Sequence, residues 1–150
     1  MTRANARELA VHMIYGQSFT GAEPETALET LFAPGYYETL AQECPVYEER
    51  PDPAQMAYIR RVVAGVYAYR EELRQQIQTL SIGWDVSRIS RVTRAILMLA
   101  MYEAAYVEDV PKNAAISEAV RLAKLYDGKD TGAFVNGILG TWDRSREEPK

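Results

Sequence analysis

Cysteine and histidine are almost missing from this sequence, with Cys44 and His12 the sole examples of each. A lone cysteine forms no internal disulfide and has no companions at metal-ligand spacing, which fits a reducing compartment and argues against structural zinc. A single histidine removes histidine pairs, metal clusters and most triads. Glu8 lies one turn before His12, but such a pair is commonplace on a helix surface, so His12 is read as an ordinary polar residue rather than a general base. There is no glycine-rich phosphate loop either: Gly137-Ile138-Leu139-Gly140 sits inside a helical pattern, with no preceding strand and no following Lys-Ser/Thr. No stretch reaches the roughly 18 apolar residues of a membrane span, and the opening Met1-Thr-Arg-Ala-Asn-Ala-Arg-Glu8 carries charge where a signal peptide needs an apolar run. The expectation is a cytoplasmic protein with no membrane contact, no catalytic residues, no cofactor and no metal.

What is present is ordinary globular material. The 150 residues are 47% hydrophobic and 25% charged, enough to bury a core, and are read as one domain over 1–150 with a frayed tail at about 146–150. Net charge is −4 with a pI near 5.1, so the field of the whole protein repels nucleic acid and any RNA contact needs a local basic patch. The charge is polarised along the chain. Between Ala22 and Pro53 stand Glu23, Glu25, Glu29, Glu38, Glu43, Glu48, Glu49 and Asp52 with only Arg50 as a base. From Arg60 to Arg94 the arginines 60, 61, 70, 74, 88, 91 and 94 face only Glu71, Glu72 and Asp85. The basic run is a candidate to pair with the acidic one.

Apolar residues recur at helical spacing throughout, and alternation of period two is absent, so the fold class is all-α. Arg3 to Gln17 reads as a helix with Ala6, Leu9, Ala10 and Met13 inward and a wet side carrying Arg3 and Arg7; Gly21 breaks it. Pro24 opens a short helix to Phe32. Ala33 to Pro53, with five prolines and glycines, reads as a long irregular connection holding one turn near Tyr37 to Glu43, its simplest explanation a surface insertion. Asp52-Pro53 starts one long helix of about seven turns, from Met56 through Tyr69 to Leu80, closed by Gly83. Asp85 or Ser87 caps the next, which carries Ile89, Val92, Ile96, Leu99 and Glu103 on one face. After Pro111, Asn113 caps a helix ending at Asp127-Gly128, and Thr131 to Ser145 forms the last.

Glu103 projects from an apolar face, where a bare carboxylate is costly, so it is expected to tie down the connection Tyr106 to Asn113, through backbone N–H groups or the Asn113 side chain. Asn136 is either a similar buried tie or a contact for an RNA base. Arg3, Arg7 and Tyr15 make the best nucleic-acid candidate, because guanidinium groups bind phosphates and an aromatic face stacks on an unpaired base.

Several ordered motifs resemble one family. Arg3-x-x-Ala6-Arg7-Glu8-Leu9-Ala10-x-x-x-x-Tyr15, Val63-Ala64-Gly65-Val66, Ala95-Ile-Leu-Met-Leu-Ala-Met-Tyr-Glu103, Asp109-Val110-Pro111, Ala115-Ile-Ser-Glu-Ala-Val-Arg-Leu-Ala-Lys124 and Phe134-Val-Asn-Gly-Ile-Leu139 are similar, in order and spacing, to the NusB family of bacterial transcription antitermination factors. The resemblance runs from Arg3 to about Trp142. It implies a bundle of six to seven helices in two subbundles, no enzymatic activity, and an RNA-binding adaptor. Its implied partners are the small-subunit ribosomal protein NusE, single-stranded boxA RNA in nascent ribosomal transcripts, and an antitermination complex with NusA, NusG and RNA polymerase. The RNA-facing residues it implies are Arg3, Arg7, Tyr15, Phe134 and Asn136. The arginines before the first helix are sparser than is usual in the family, and Ala133 stands where a basic residue is common, so weaker binding by the lone protein and greater reliance on NusE are expected. NusE is expected on the exposed side of the helix around Arg88 to Arg94. Two other readings stay open: an accessory module for ribosomal RNA processing or methylation, which would want a following α/β domain with a catalytic cysteine, and a protein-only scaffold. A homodimer that buries Arg3 and Arg7 is open as well.

Overall fold

The computed structural model describes residues 1–81 and 89–146. Gly83, Asp85, Ser87 and Arg88 lie outside the described residues, as does the tail from 147. Among the described residues there are eight α-helices and no strand, and no helix is long and apolar enough to cross a membrane. The chain divides into two compact units, 1–67 and 68–150.

In the first unit, α1 (Arg3–Thr20) begins where Thr2 accepts a hydrogen bond from the Asn5 amide and ends at Gly21, whose φ of 68° is the left-handed turn that a glycine reaches without strain. Ala6, Leu9, Ala10 and Met13 are buried as expected, and so are Val11 and Ile14. Pro24–Leu31 is α2. The proline-rich stretch holds the turn expected near Tyr37 to Glu43, as α3 (Tyr36–Thr39) and the 3₁₀ turn Leu40–Gln42, and is more ordered than expected beyond it, with a second 3₁₀ turn, Pro45–Glu48, and Tyr37, Val46 and Tyr47 buried. Phe32 stacks on Tyr37, and the Tyr37 ring meets Tyr47 edge-on. These three aromatics supply apolar area that outweighs the loop-like composition around them. α4 (Pro53–Ala68) completes the unit, with Arg60 reaching Glu25 of α2 at 2.8 Å and thereby joining the basic and acidic runs.

The Tyr37 hydroxyl donates to the Glu49 carbonyl at 2.8 Å, and burial, opposed by the Arg50 guanidinium, pushes its phenol up to about 12. An unfolded tyrosine ionises near pH 10. The unfolded chain therefore releases this proton first as pH rises, and the stability due to the buried neutral phenol, complete below about pH 10, is lost between about 10 and 12. Urea midpoints measured at intervals across that window are expected to fall, and to fall less steeply in Tyr37→Phe.

In the second unit the long helix is interrupted. α4 stops at Ala68 and α5 (Arg70–Leu80) restarts after Tyr69, whose φ of −102° and ψ of 13° leave the helical region. The Tyr69 ring stacks on Tyr106, 4.6 Å between centroids and 12° between planes. This break accounts for one helix beyond the six or seven expected, and α3 for another. Ser90 caps α6 (Arg91–Tyr106) by accepting from the Thr93 amide. The cap is thus neither Asp85 nor Ser87, and Ile89 precedes the helix. Ala95 to Ala104 are all buried, as the alanine, leucine and methionine content of this helix suggests. α6 packs on α7 (Lys112–Asp127) and α8 (Lys129–Ser145), which form a hairpin through Gly128 at φ 96°. Asp127 ties the end of α7 to the start of α6 through Ser90 (2.9 Å) and Thr93 (2.8 Å). Trp142 of α8 donates to Gln76 of α5 at 3.0 Å.

Candidate nucleic-acid interface

Each unit contributes its own set of candidate residues. In the first unit, Arg3 is held rather than wet. Its Nε donates to Gln55 Oε1 at 2.8 Å and its guanidinium lies 4.2 Å from the centre of the Tyr58 ring. Arg7 is only 8% exposed, and its guanidinium is 5.8 Å from the same ring. The expected basic side of α1 is therefore turned in upon α4, because cation–π contact and stem burial compensate for lost hydration. Tyr58 was not singled out in the sequence. Its place in the apolar pattern of α4 gave no sign that it would serve two arginines.

Tyr15 does reach the surface, at 39% exposure, and it is accompanied by Phe19, at 60%. The two rings sit edge to face, 5.0 Å between centroids and 79° between planes. Phe19 was overlooked although its spacing from Tyr15, one turn along a helix, was a usable signal. One turn before Tyr15 on α1, His12 is half-buried and its Nδ1 shares a 2.6 Å hydrogen bond with the Tyr47 hydroxyl. Burial lowers the His12 pKa, with the Glu8 charge opposing. Cys44 stands at the turn before Pro45 and brings its sulfur into the neighbourhood of both.

In the second unit, Asn136 is exposed and so is no buried tie. It borders a shallow groove between α7 and α8, together with Asn113, Ser117, Val120, Arg121 and Lys124. Arg121 pairs with Glu118 at 2.7 Å. Lys124 lies across Gly132, where an added Cβ would meet its Cγ at 2.5 Å, so the glycine lets the lysine stem run flat over the start of α8. Phe134 is half-exposed. It stands two residues before Asn136, about 200° around the helix, so the two are not presented to one surface. Asn113 is exposed and does not cap α7, which begins at Lys112 with Pro111 as its cap residue and no side-chain cap. The fixed φ of proline suits that junction without a capping hydroxyl or amide. Glu103 is fully buried in α6, as expected. The Val107 amide donates to its backbone carbonyl at 3.1 Å, and the connection beyond is pinned by burial of Val107 and Val110. Arg91 is exposed and Arg94 half-exposed at the start of α6.

This arrangement of helices has counterparts among solved structures. It is similar to T. maritima NusB, at 25% identity and a TM-score of 0.78, over 99% of this chain and 94% of that one. It is also similar in fold to a chain from a crystal structure of the antitermination factors NusB and NusE in complex with double-stranded RNA, at 21% identity and a TM-score of 0.73, over 96% and 97%. In sequence, the transcription antitermination protein NusB of Symbiobacterium thermophilum is 38% identical over 94% of this chain and 88% of its own length. The family pattern described as the NusB family matches residues 4–144, and the chain belongs to that family.

Proposed function

We propose that this chain is a non-enzymatic transcription antitermination adaptor of the bacterial cytoplasm. With the small-subunit ribosomal protein NusE it binds the single-stranded boxA element of nascent ribosomal RNA and helps load a complex containing NusA, NusG and RNA polymerase. Family membership over residues 4–144, and relatives that carry the name transcription antitermination protein NusB, support the role. The observation that carries the RNA-binding part is the exposed Tyr15–Phe19 pair on α1. Large rings held against each other at the surface make a stacking platform for unpaired bases, which an acidic protein needs more than most because phosphate attraction alone is weak. Arg3, at the opposite end of α1 from the two rings, is a separate candidate for a phosphate. Arg7 acts from beneath, holding Tyr58 and α1 in place. In the second unit Phe134 offers a further ring, and Asn136 with Lys124 offers polar contacts along the α7–α8 groove.

The test is fluorescence anisotropy of labelled boxA RNA and a scrambled control, titrated with the protein alone and with co-expressed NusE at fixed moderate salt. Affinity and discrimination are expected to rise together when NusE is present, and Phe134→Ala to weaken both. The internal engagement of Arg3 and Arg7 favours one competing reading, a protein-only scaffold. Failure of both conditions to distinguish the two RNAs would establish the scaffold in place of the adaptor.

A further inference from the structure

Glu8 and His12 stand one turn apart on α1 and Cys44 comes from a distant part of the sequence, yet within the first unit one ligand atom from each lies within 4.8 Å of the other two. We propose that these three side chains form a binding site for a zinc-class divalent metal ion. α1 supplies two of the donors, since residues one turn apart stand above one another on a helix. The turn that precedes Pro45 supplies the third, and burial of Val46 and Tyr47 fixes that turn against α1.

The donor set is chemically coherent. Thiolate, imidazole and carboxylate together select borderline-soft, tetrahedral zinc over magnesium or calcium, which want oxygen alone. Bond lengths of about 2.0–2.3 Å place tetrahedral ligand atoms roughly 3.3–3.8 Å apart, so side-chain adjustment of about 1 Å closes the site. Two anionic ligands and one neutral ligand balance a divalent charge, which suits a position where Glu8 is only 9% exposed. The Tyr47 hydroxyl on His12 Nδ1, at 2.6 Å, is the outer contact that fixes the ring and tautomer of a ligating histidine. His12 also borders a groove of about 470 Å³ formed by α1, α2 and the Tyr36 and Tyr47 segment, which gives water access to the fourth coordination position. The bound ion would clip the 3₁₀ segment to α1, in the part of the chain whose composition is least able to hold itself.

Cobalt(II) reports thiolate ligation directly. The metal-stripped full-length protein, reduced, is titrated with Co²⁺, and the near-ultraviolet thiolate-to-cobalt charge-transfer band and the visible d–d bands are followed; Zn²⁺ is then added as competitor. The expected result is saturation at one equivalent, displacement by one equivalent of Zn²⁺, loss of the charge-transfer band in Cys44→Ser, and at least tenfold weaker binding in His12→Gln. Tyr47→Phe should weaken binding less while retaining the band. Circular dichroism on each variant separates unfolding from lost ligation, and Cys44→Ser removes only one partly exposed sulfur. Absence of a charge-transfer band in the wild-type chain, or a band that survives unchanged in folded Cys44→Ser, would overturn the assignment.

Discussion

Leu139→Ala is expected to lower the unfolding free energy by about 2–5 kcal/mol, while Asn136→Ala on the same helix changes it by no more than about 0.5 kcal/mol. Leu139 has no exposed surface and sits on the inner side of α8 with Val135, Ile138 and Trp142. Truncation removes its transfer free energy and leaves a void, because α6 and α7 are themselves packed together and held by the Asp127 ties and cannot collapse freely. Asn136 faces water on the groove side and loses only a solvated amide. Urea unfolding at neutral pH reads both. A loss below about 1 kcal/mol for Leu139→Ala would mean that the inner face of α8 is not the one described. The contrast also matters for any RNA experiment, since it separates substitutions that weaken binding through the groove from those that weaken it through the fold.

Phe19→Ala is expected to weaken boxA binding by the NusE complex by about 1–3 kcal/mol, roughly 5- to 150-fold, with little change in thermal stability. A ring 60% exposed contributes little to the core, so its removal leaves the unfolding midpoint nearly where it was. Tyr15→Ala is expected to act in the same direction, and the double variant to show less than the sum, because the edge-to-face pair orients both rings and the loss of either frees the other. Arg7→Ala is a different case: at 8% exposure and beside Tyr58 it costs stability as well as affinity, so it is a poor probe of RNA contact. If Phe19→Ala and Tyr15→Ala leave affinity unchanged while Phe134→Ala reduces it, the stacking surface belongs to the second unit.

Much of this architecture was legible because helices advertise themselves locally. Gly21, Pro24 and Gly128 act within one or two turns of where they stand, and the buried run in α6 is written in its composition. The break at Tyr69 was not legible. The apolar period carries straight on from Met56 to Leu80, and at the break the Tyr69 ring stacks on Tyr106, a partner distant in sequence. The proline-rich segment misled for the same reason: its prolines and acids describe a loop, and only tertiary packing reveals that Tyr37 and Tyr47 are core. Among the candidate interface residues, exposure of Tyr15 and burial of Glu103 were readable from helical phase, whereas the inward turn of Arg3 and Arg7 depends on Tyr58 in another helix. Convergence of Cys44 on Glu8 and His12 leaves no trace in spacing at all, since metal-ligand patterns are recognised only when the donors are neighbours in the chain.

The division at Tyr67 and Ala68 makes each compact unit one uninterrupted length of polypeptide. The order in which a ribosome delivers the chain can then be the order in which structure is acquired. All the residues that hold α1 against α2 and the 3₁₀ turns have been made before α5 exists, and at about 5–20 residues per second the remainder takes roughly 4–16 s to follow. Contacts of short sequence separation form quickly on that scale. The stacking pair on α1 is thus assembled from material that is complete while the second half of the protein is still being translated.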